Sequence, residues 1–87
     1  MRAQRRDANE PAIVEALELM GYRVERHYTP DPFDLLVRRP GSPVGLCMEV
    51  KTPTGSLKDS QTEALEQGAI VVVRSPDEAV QAAMDWL

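Results

Sequence analysis

Residues 44–51 read Val-Gly-Leu-Cys-Met-Glu-Val-Lys, an apolar segment that carries two opposite charges close to its end. Side chains alternate between the two faces of a strand, so Glu49 and Lys51 share one face while Met48 and Val50 share the other. A charge inside an apolar strand is costly unless it has a partner or a use. The segment is therefore predicted to be a strand with one core face and one polar, functional face.

The preceding apolar segment, residues 33–38, predicts a second strand, and the loop between the two, residues 39–43, contains two prolines and a glycine. We expect an antiparallel hairpin in which Asp34 faces the same side as Glu49. Two carboxylates placed together repel each other and favour a cation between them. Oxygen ligands suit Mg²⁺ or Mn²⁺, and the carbonyl of Val50 can supply a further oxygen.

The rest of the chain predicts three helices and two more strands. In chain order, the predicted elements are a helix with Asn9 as its N-cap and Gly21 as its end, strands over 22–28, 33–38 and 44–51, a helix over about 57–67, a strand over 69–73, and a helix from Ser75 to about Trp86. The third strand, second helix and fourth strand form a β-α-β unit, so those two strands should be parallel with a right-handed crossover. The unbroken apolar run at 69–73 is typical of a strand buried on both faces. We expect a single α/β domain over residues 1–87, with order α-β-β-β-α-β-α and a mixed four-stranded sheet flanked by helices.

Two further polar residues fall on faces that are predicted to point inward. The expected inner face of the second helix comprises Leu57, Gln61, Ala64 and Leu65. Gln61 is thus polar on the side facing the sheet, where it can hydrogen-bond a water or a phosphate. Glu10 lies one turn before Ile13 on the core-facing stripe of the first helix and can reach the same metal or its water shell. The plainer alternatives are an ordinary polar residue at a helix start, and an acid favoured by the helix dipole.

Composition limits the kind of protein. The chain has 87 residues, one cysteine and one histidine, which excludes an internal disulfide and a zinc cluster and fits a reducing cytoplasm. No apolar run is long enough to cross a bilayer and no secretory signal is visible, so a cytoplasmic protein without a membrane partner is expected. The net charge of −4 counts against a strong nucleic-acid binder. Metal-binding acids contribute to that total, however, and local charge matters more than the sum.

Four stretches of the chain together resemble one family. They are residues 32–37 (Pro-Phe-Asp-Leu-Leu-Val), 48–57 (Met-Glu-Val-Lys-Thr-Pro-Thr-Gly-Ser-Leu), 60–61 (Ser-Gln) and 68–75 (Gly-Ala-Ile-Val-Val-Val-Arg-Ser). In this combination they resemble the PD-(D/E)XK nuclease superfamily, and most closely its compact VRR-NUC branch. The likeness runs from Glu10 to the last helix. The chain departs from the family pattern at Phe33, which separates Pro32 from Asp34.

The resemblance implies a restriction-endonuclease-like fold and metal-dependent hydrolysis of phosphodiester bonds in DNA. The site residues it implies are Asp34, Glu49 and the Val50 carbonyl as ligands of Mg²⁺ or Mn²⁺, Lys51 to orient the attacking water or stabilise the transition state, Gln61 to support the water or phosphate, and Glu10 as the acid of the first helix. It also implies branched substrates such as four-way junctions, a homodimer, and a place among phage or bacterial replication and repair proteins.

Basic side chains near strand ends and near the start of the second helix are candidates for phosphate contacts. They are Arg23, Arg26, Arg38, Arg39 and Lys58. Arg2, Arg5 and Arg6 form either a DNA-contacting arm or a solubilising tail. Two alternatives remain open: the alternating charges at 49–51 form a solvated strand face, or the chain is a catalytically inactive nuclease-fold module for nucleic-acid binding or protein assembly.

Overall fold

The computed structural model describes residues 8–27, 33–55, 59–68 and 70–87. Its elements are α1 (Glu10–Leu19), β1 (Arg23–Arg26), β2 (Leu35–Arg38), β3 (Gly45–Val50), α2 (Asp59–Glu66), β4 (Val71–Val73) and α3 (Pro76–Trp86). The predicted order α-β-β-β-α-β-α is confirmed, although every strand is shorter than expected. The predicted turn at 29–32, the start of the second helix at Leu57, and the side chain of Lys58 lie outside the described residues.

The four strands form one mixed sheet in the order β1-β2-β3-β4. β1 pairs with β2 and β2 with β3 in antiparallel fashion, while β3 and β4 run parallel. The register sets Leu35 opposite Met48 and Leu36 opposite Cys47. This confirms the small α/β domain, the hairpin and the β-α-β unit predicted from the sequence.

The core lies on one face of the sheet, where α1 and α3 pack against each other and against the strands. Its buried side chains are Ile13, Val14, Leu17, Leu35, Val37, Met48, Val50, Val73, Ala79 and Ala83. β4 is an edge strand of this sheet, and Val71 and Val72 keep part of their surface exposed. The prediction that this strand is buried on both faces was therefore wrong. Leu65, predicted to face inward from α2, is exposed as well.

Helix α1 begins after Asn9 and ends at Gly21 as predicted, but the Asn9 side chain does not cap it. Gly21 has φ +94°, its N–H donates to the Glu18 carbonyl, and the N–H of Tyr22 donates to the Leu17 carbonyl. These are the two bonds of a Schellman motif, which needs the left-handed backbone that glycine adopts without strain. At the other end, the Asn9 side chain makes no capping hydrogen bond. Asn9 thus occupies the predicted N-cap position, whereas a capping role for its side chain was wrong.

Helix α3 begins at a side-chain cap. The Ser75 hydroxyl accepts from the Glu78 N–H at 3.1 Å, and Pro76 occupies the first turn. The Glu78 carboxylate reaches back one residue further than in a regular capping box and accepts from the Arg74 N–H at 2.7 Å. No helix in the described ranges is long and apolar enough to span a membrane.

The Gly21 turn gives a direct test of the end of α1. We expect Gly21→Ala to lower the free energy of unfolding by about 1 kcal/mol, because a left-handed backbone costs an L-residue roughly 1–2 kcal/mol. Gly21→Asn should lose less, since asparagine tolerates this conformation. Urea unfolding followed by circular dichroism measures both. An alanine variant as stable as the wild type would contradict the turn described here.

Candidate metal site

The candidate site lies where β2 begins and β3 ends. The Asp34 N–H donates to the Met48 carbonyl at 2.9 Å, one residue out of step with the β2–β3 register, in which Met48 is opposite Leu35. One carboxylate oxygen of Asp34, Oδ2, accepts from the Val50 N–H at 2.9 Å. The hairpin thus brings the two predicted acids close enough for the Asp34 carboxylate to act on that of Glu49.

Glu49 is buried although it is on the strand face opposite the core. Its side chain is flanked by that of Lys51, whose Nζ lies 3.2 Å from Oε2 and whose side chain is 15% exposed. Glu49 itself is 2% exposed, and its other oxygen, Oε1, has no hydrogen-bond partner among the described residues. A solvated strand face does not have these properties, so that interpretation of residues 49–51 was wrong.

The surroundings of Glu49 change its acidity. Burial is the largest cause and the negative charge of Asp34 the next, and together they raise the pKa of the Glu49 carboxyl to about 7. The nearby Lys51 ammonium acts in the opposite direction but does not cancel them. Near neutral pH the group therefore gains or loses a proton easily, and a cation at this point would favour the ionised form.

The donors present fit a hard divalent cation. Glu49 Oε1 is buried without a hydrogen-bond partner among the described residues, and the Asp34 carboxylate is close to the Glu49 carboxyl group. In an extended strand the N–H and C=O of one residue point to the same side, so the Val50 carbonyl also faces β2 and Asp34. Within the described ranges, no three His, Cys, Asp or Glu side chains form a group that could hold a metal ion. Two carboxylates and a carbonyl with water filling the remaining positions suit Mg²⁺, which dehydrates reluctantly.

The two remaining predicted site residues, Gln61 and Glu10, are both buried. Gln61, on α2, is 6% exposed, as its predicted inward position requires. Glu10, on α1, is 3% exposed, and its Oε2 lies 3.5 Å from Nε of Arg26. The register puts Arg26 opposite Leu35, on the core face of the sheet and not on the face of Glu49. The structure thus gathers Asp34, Glu49 and Lys51, whereas Glu10 is engaged with an arginine.

The predicted phosphate-binding arginines are not gathered beside these acids. Arg23 and Arg38 are opposite each other at the far end of β1 and β2, and Arg39 follows in the hairpin loop. The expectation that these three adjoin the metal site was wrong, because the register of β1 on β2 runs away from Asp34. Arg38 also makes an exposed ion pair at 2.8 Å with Glu25. Arg26 alone of the described set is at the site end of the sheet.

Two residues near the site were not predicted to take part in it. Asn9 donates from its side-chain amide to the carbonyls of Lys51 and Arg74, at 3.1 and 3.0 Å. Arg74 donates from Nη1 to the carbonyls of Thr52 and Gly55, at 2.6 and 2.9 Å. Asparagine before a helix is usually a cap, and a single arginine after a strand has no distinctive pattern. Nothing in the sequence therefore separated these two from ordinary residues.

The raised pKa of Glu49 has a measurable effect on stability. The folded pKa lies above the ordinary value of 4.5, so the proton stabilises the fold fully below that value, and the contribution is lost as the pH rises through about 7. In metal-free buffer at pH 8, Glu49→Gln should melt at a higher temperature than the wild type. The difference in free energy of unfolding between the variant and the wild type should decrease by on the order of 3 kcal/mol between pH 8 and pH 4.5.

Scanning calorimetry at several pH values measures this gap. The matched control is Glu63→Gln, which removes an exposed carboxylate on α2. Its melting temperature should follow that of the wild type at every pH. A Glu49→Gln gap that is the same at pH 4.5 and pH 8 would contradict the described environment of the carboxyl.

Comparison of the chain with protein-family models, with curated proteins and with solved structures finds no match.

Proposed function

We propose that this chain is a metal-dependent nuclease that hydrolyses phosphodiester bonds in branched DNA, such as four-way junctions. The observation that carries the proposal is the buried Glu49 beside Asp34, with one Glu49 oxygen unpartnered among the described residues and an ammonium 3.2 Å from the other oxygen. The element order α-β-β-β-α-β-α supports a restriction-endonuclease-like topology and a single VRR-NUC-like domain. Action inside the cytoplasm of a bacterial or phage-infected cell is part of the same proposal.

Each residue of the site has a separate proposed role in the reaction. Asp34, Glu49 and the Val50 carbonyl would hold Mg²⁺ or Mn²⁺, which when bound polarises a phosphoryl oxygen and lowers the pKa of a bound water. Lys51 holds a positive charge beside Glu49 and would stabilise the negative charge that develops on the phosphate in the transition state. Gln61 would hydrogen-bond the water or a phosphate oxygen, and Glu10 would act at the edge of the site as the acid of α1.

Contacts to the DNA backbone would come from five basic side chains. The proposed set is Arg23, Arg26, Arg38, Arg39 and Lys58. Contacts of this kind position a duplex without reading its sequence. Selection would then depend on the shape of the DNA, which is consistent with a branched substrate.

A homodimer is the assembly we propose, because one 87-residue unit offers little surface for two duplex arms. Four large apolar side chains on α1 and α3 are exposed, namely Leu19, Met20, Met84 and Trp86, the last at 68%. A second copy of the chain is their proposed partner. The resulting pair would carry two sites, one for each strand of a paired cut.

A panel of DNA structures tests the activity. Junction, flap, single-stranded and duplex DNA are each incubated with Mg²⁺ or Mn²⁺, and products are resolved on denaturing gels. We expect cleavage of the branched substrates and a loss of about 100-fold or more in Glu49→Ala, which removes a proposed metal ligand, and in Lys51→Ala, which removes a positive charge that would stabilise the transition state. Glu63→Ala, which removes an exposed acid, should cleave like the wild type.

Each failure of this assay has a distinct meaning. No product on any substrate would refute the nuclease. Product that persists in Glu49→Ala would assign the cleavage to another site or to a contaminant. Binding of junction DNA that weakens with salt, without cleavage, would favour the inactive nucleic-acid-binding module.

Sedimentation tests the dimer separately. The wild type is expected to sediment with twice the chain mass of 9.7 kDa. The double variant Met84→Lys and Trp86→Glu should sediment as a monomer and remain folded, because both side chains are exposed. Leu65→Glu is the control, since it charges an exposed leucine on α2. A wild type that is monomeric at every concentration would exclude this assembly.

A further inference from the structure

The Asn9 amide fastens the start of α1 to two strand ends. Its Nδ2 donates to the carbonyl of Lys51 at 3.1 Å and to the carbonyl of Arg74 at 3.0 Å. Lys51 follows β3, and Arg74 follows β4. Both neighbours are carbonyl oxygens, which accept but cannot donate, so only an amide nitrogen can face them. An ionised carboxylate of the same shape would be repelled by both.

Arg74 continues the same network with its side chain. Its Nη1 donates to the carbonyl of Thr52 at 2.6 Å and to that of Gly55 at 2.9 Å. The Gly55 N–H donates to the Thr52 carbonyl at 3.0 Å, which closes a turn with Pro53 as its second residue. A single guanidinium nitrogen thus holds both ends of the turn that directly follows Lys51. The Arg74 N–H is in turn held by the Glu78 carboxylate.

Lys51 is therefore fixed at the backbone on both sides of its Cα. Its N–H donates to the Val73 carbonyl at 3.0 Å, and its C=O accepts from Asn9. The segment that leaves it, residues 52–55, is held by Arg74. The backbone of Lys51 must be held in place if the ammonium is to stay beside Glu49, because four flexible methylenes separate the two.

We infer that Asn9 and Arg74 are positioning residues for Lys51: together they set the backbone from residue 51 to 55 and so place the ammonium against Glu49. The inference rests on the proposed function for its effect on catalysis, but not for its effect on geometry. Neither side chain would touch the substrate. Both would act through the backbone that carries the lysine.

The effect on activity should appear in the chemical step. A displacement of about 1 Å in a reacting group can cost up to about 100-fold in rate. Asn9→Asp keeps the volume of the side chain but replaces the donating amide with a carboxylate oxygen, which faces the Lys51 and Arg74 carbonyl oxygens and cannot donate to them. It should lower kcat by about 10- to 100-fold while KM for DNA stays within about threefold, since phosphate contacts are elsewhere.

The position of the ammonium is tested directly by NMR, without DNA or metal. Lys51 and Lys58 are the two lysines of the sequence, so Lys58→Arg assigns the side-chain ¹³Cε and ¹⁵Nζ signals. In Asn9→Asp and Arg74→Met the Lys51 signals should move toward those of an unpaired lysine. Arg74→Lys should restore part of the wild-type signal, because one ammonium can donate to both carbonyls.

Two controls separate positioning from loss of fold. Gln67→Glu makes the same amide-to-carboxylate change at an exposed residue and should leave both kcat and the Lys51 signals unchanged. Asn9→Ser removes the bridge but supplies a favourable helix N-cap, so it keeps α1 if Asn9→Asp does not fold. Backbone amide spectra report whether each variant is folded.

The possible outcomes are distinguishable. Unchanged Lys51 signals in folded Asn9 and Arg74 variants would overturn the inference, whatever the activity. Shifted Lys51 signals with an unchanged kcat would overturn the link from geometry to rate. Shifted signals in a protein whose wild type cleaves no DNA would uphold the positioning role and refute the proposed nuclease alone.

Discussion

The arrangement at the end of the sheet depends on one unfavourable feature, a buried carboxylate next to a second carboxylate. Placing Glu49 out of water beside Asp34 is costly, and the ammonium of Lys51 offsets only part of that cost. Two apolar residues of similar size would pack there at lower free energy. A domain as small as this one has little stability to spare. The proposed cation, held by both acids, would offset this cost.

The strand register turns this feature into a site. Met48 and Val50 enter the core on one face of β3, which forces Glu49 to the other face. A slip of one residue would turn Glu49 into the apolar core and Met48 and Val50 out of it, so core packing holds the acid on its own face. Because β3 pairs antiparallel with β2 and parallel with β4, it receives Asp34 from one side and the Val73 carbonyl from the other. Core packing and site geometry are thus set by the same residues.

The sequence was sufficient for features that depend on periodicity and local chemistry. The apolar alternation of residues 44–51, the glycine that ends α1 and the serine that starts α3 each specify local structure, and the structure has them. Contacts between distant residues were less accessible. Asn9 has the sequence position of a cap, but its amide instead binds residues 42 and 65 positions away. The apolar pattern of a valine-rich strand also cannot show that the strand lies at the edge of the sheet, because an edge strand and a central strand differ in the strands beside them.

The separation of the arginines from the acids bears on which DNA such a site would accept. Arg38 is four residues along β2 from Asp34, so the two are separated by about 13 Å. Along a duplex this corresponds to about four base pairs. A phosphate at the acids and a second at Arg23 or Arg39 would then be on one duplex running along the strands. Arg38 and Arg26 are already paired with Glu25 and Glu10, which weakens their attraction for a phosphate. An acidic chain with these pairings would hold a single duplex weakly, and binding to two converging arms would compensate for weak contacts to each.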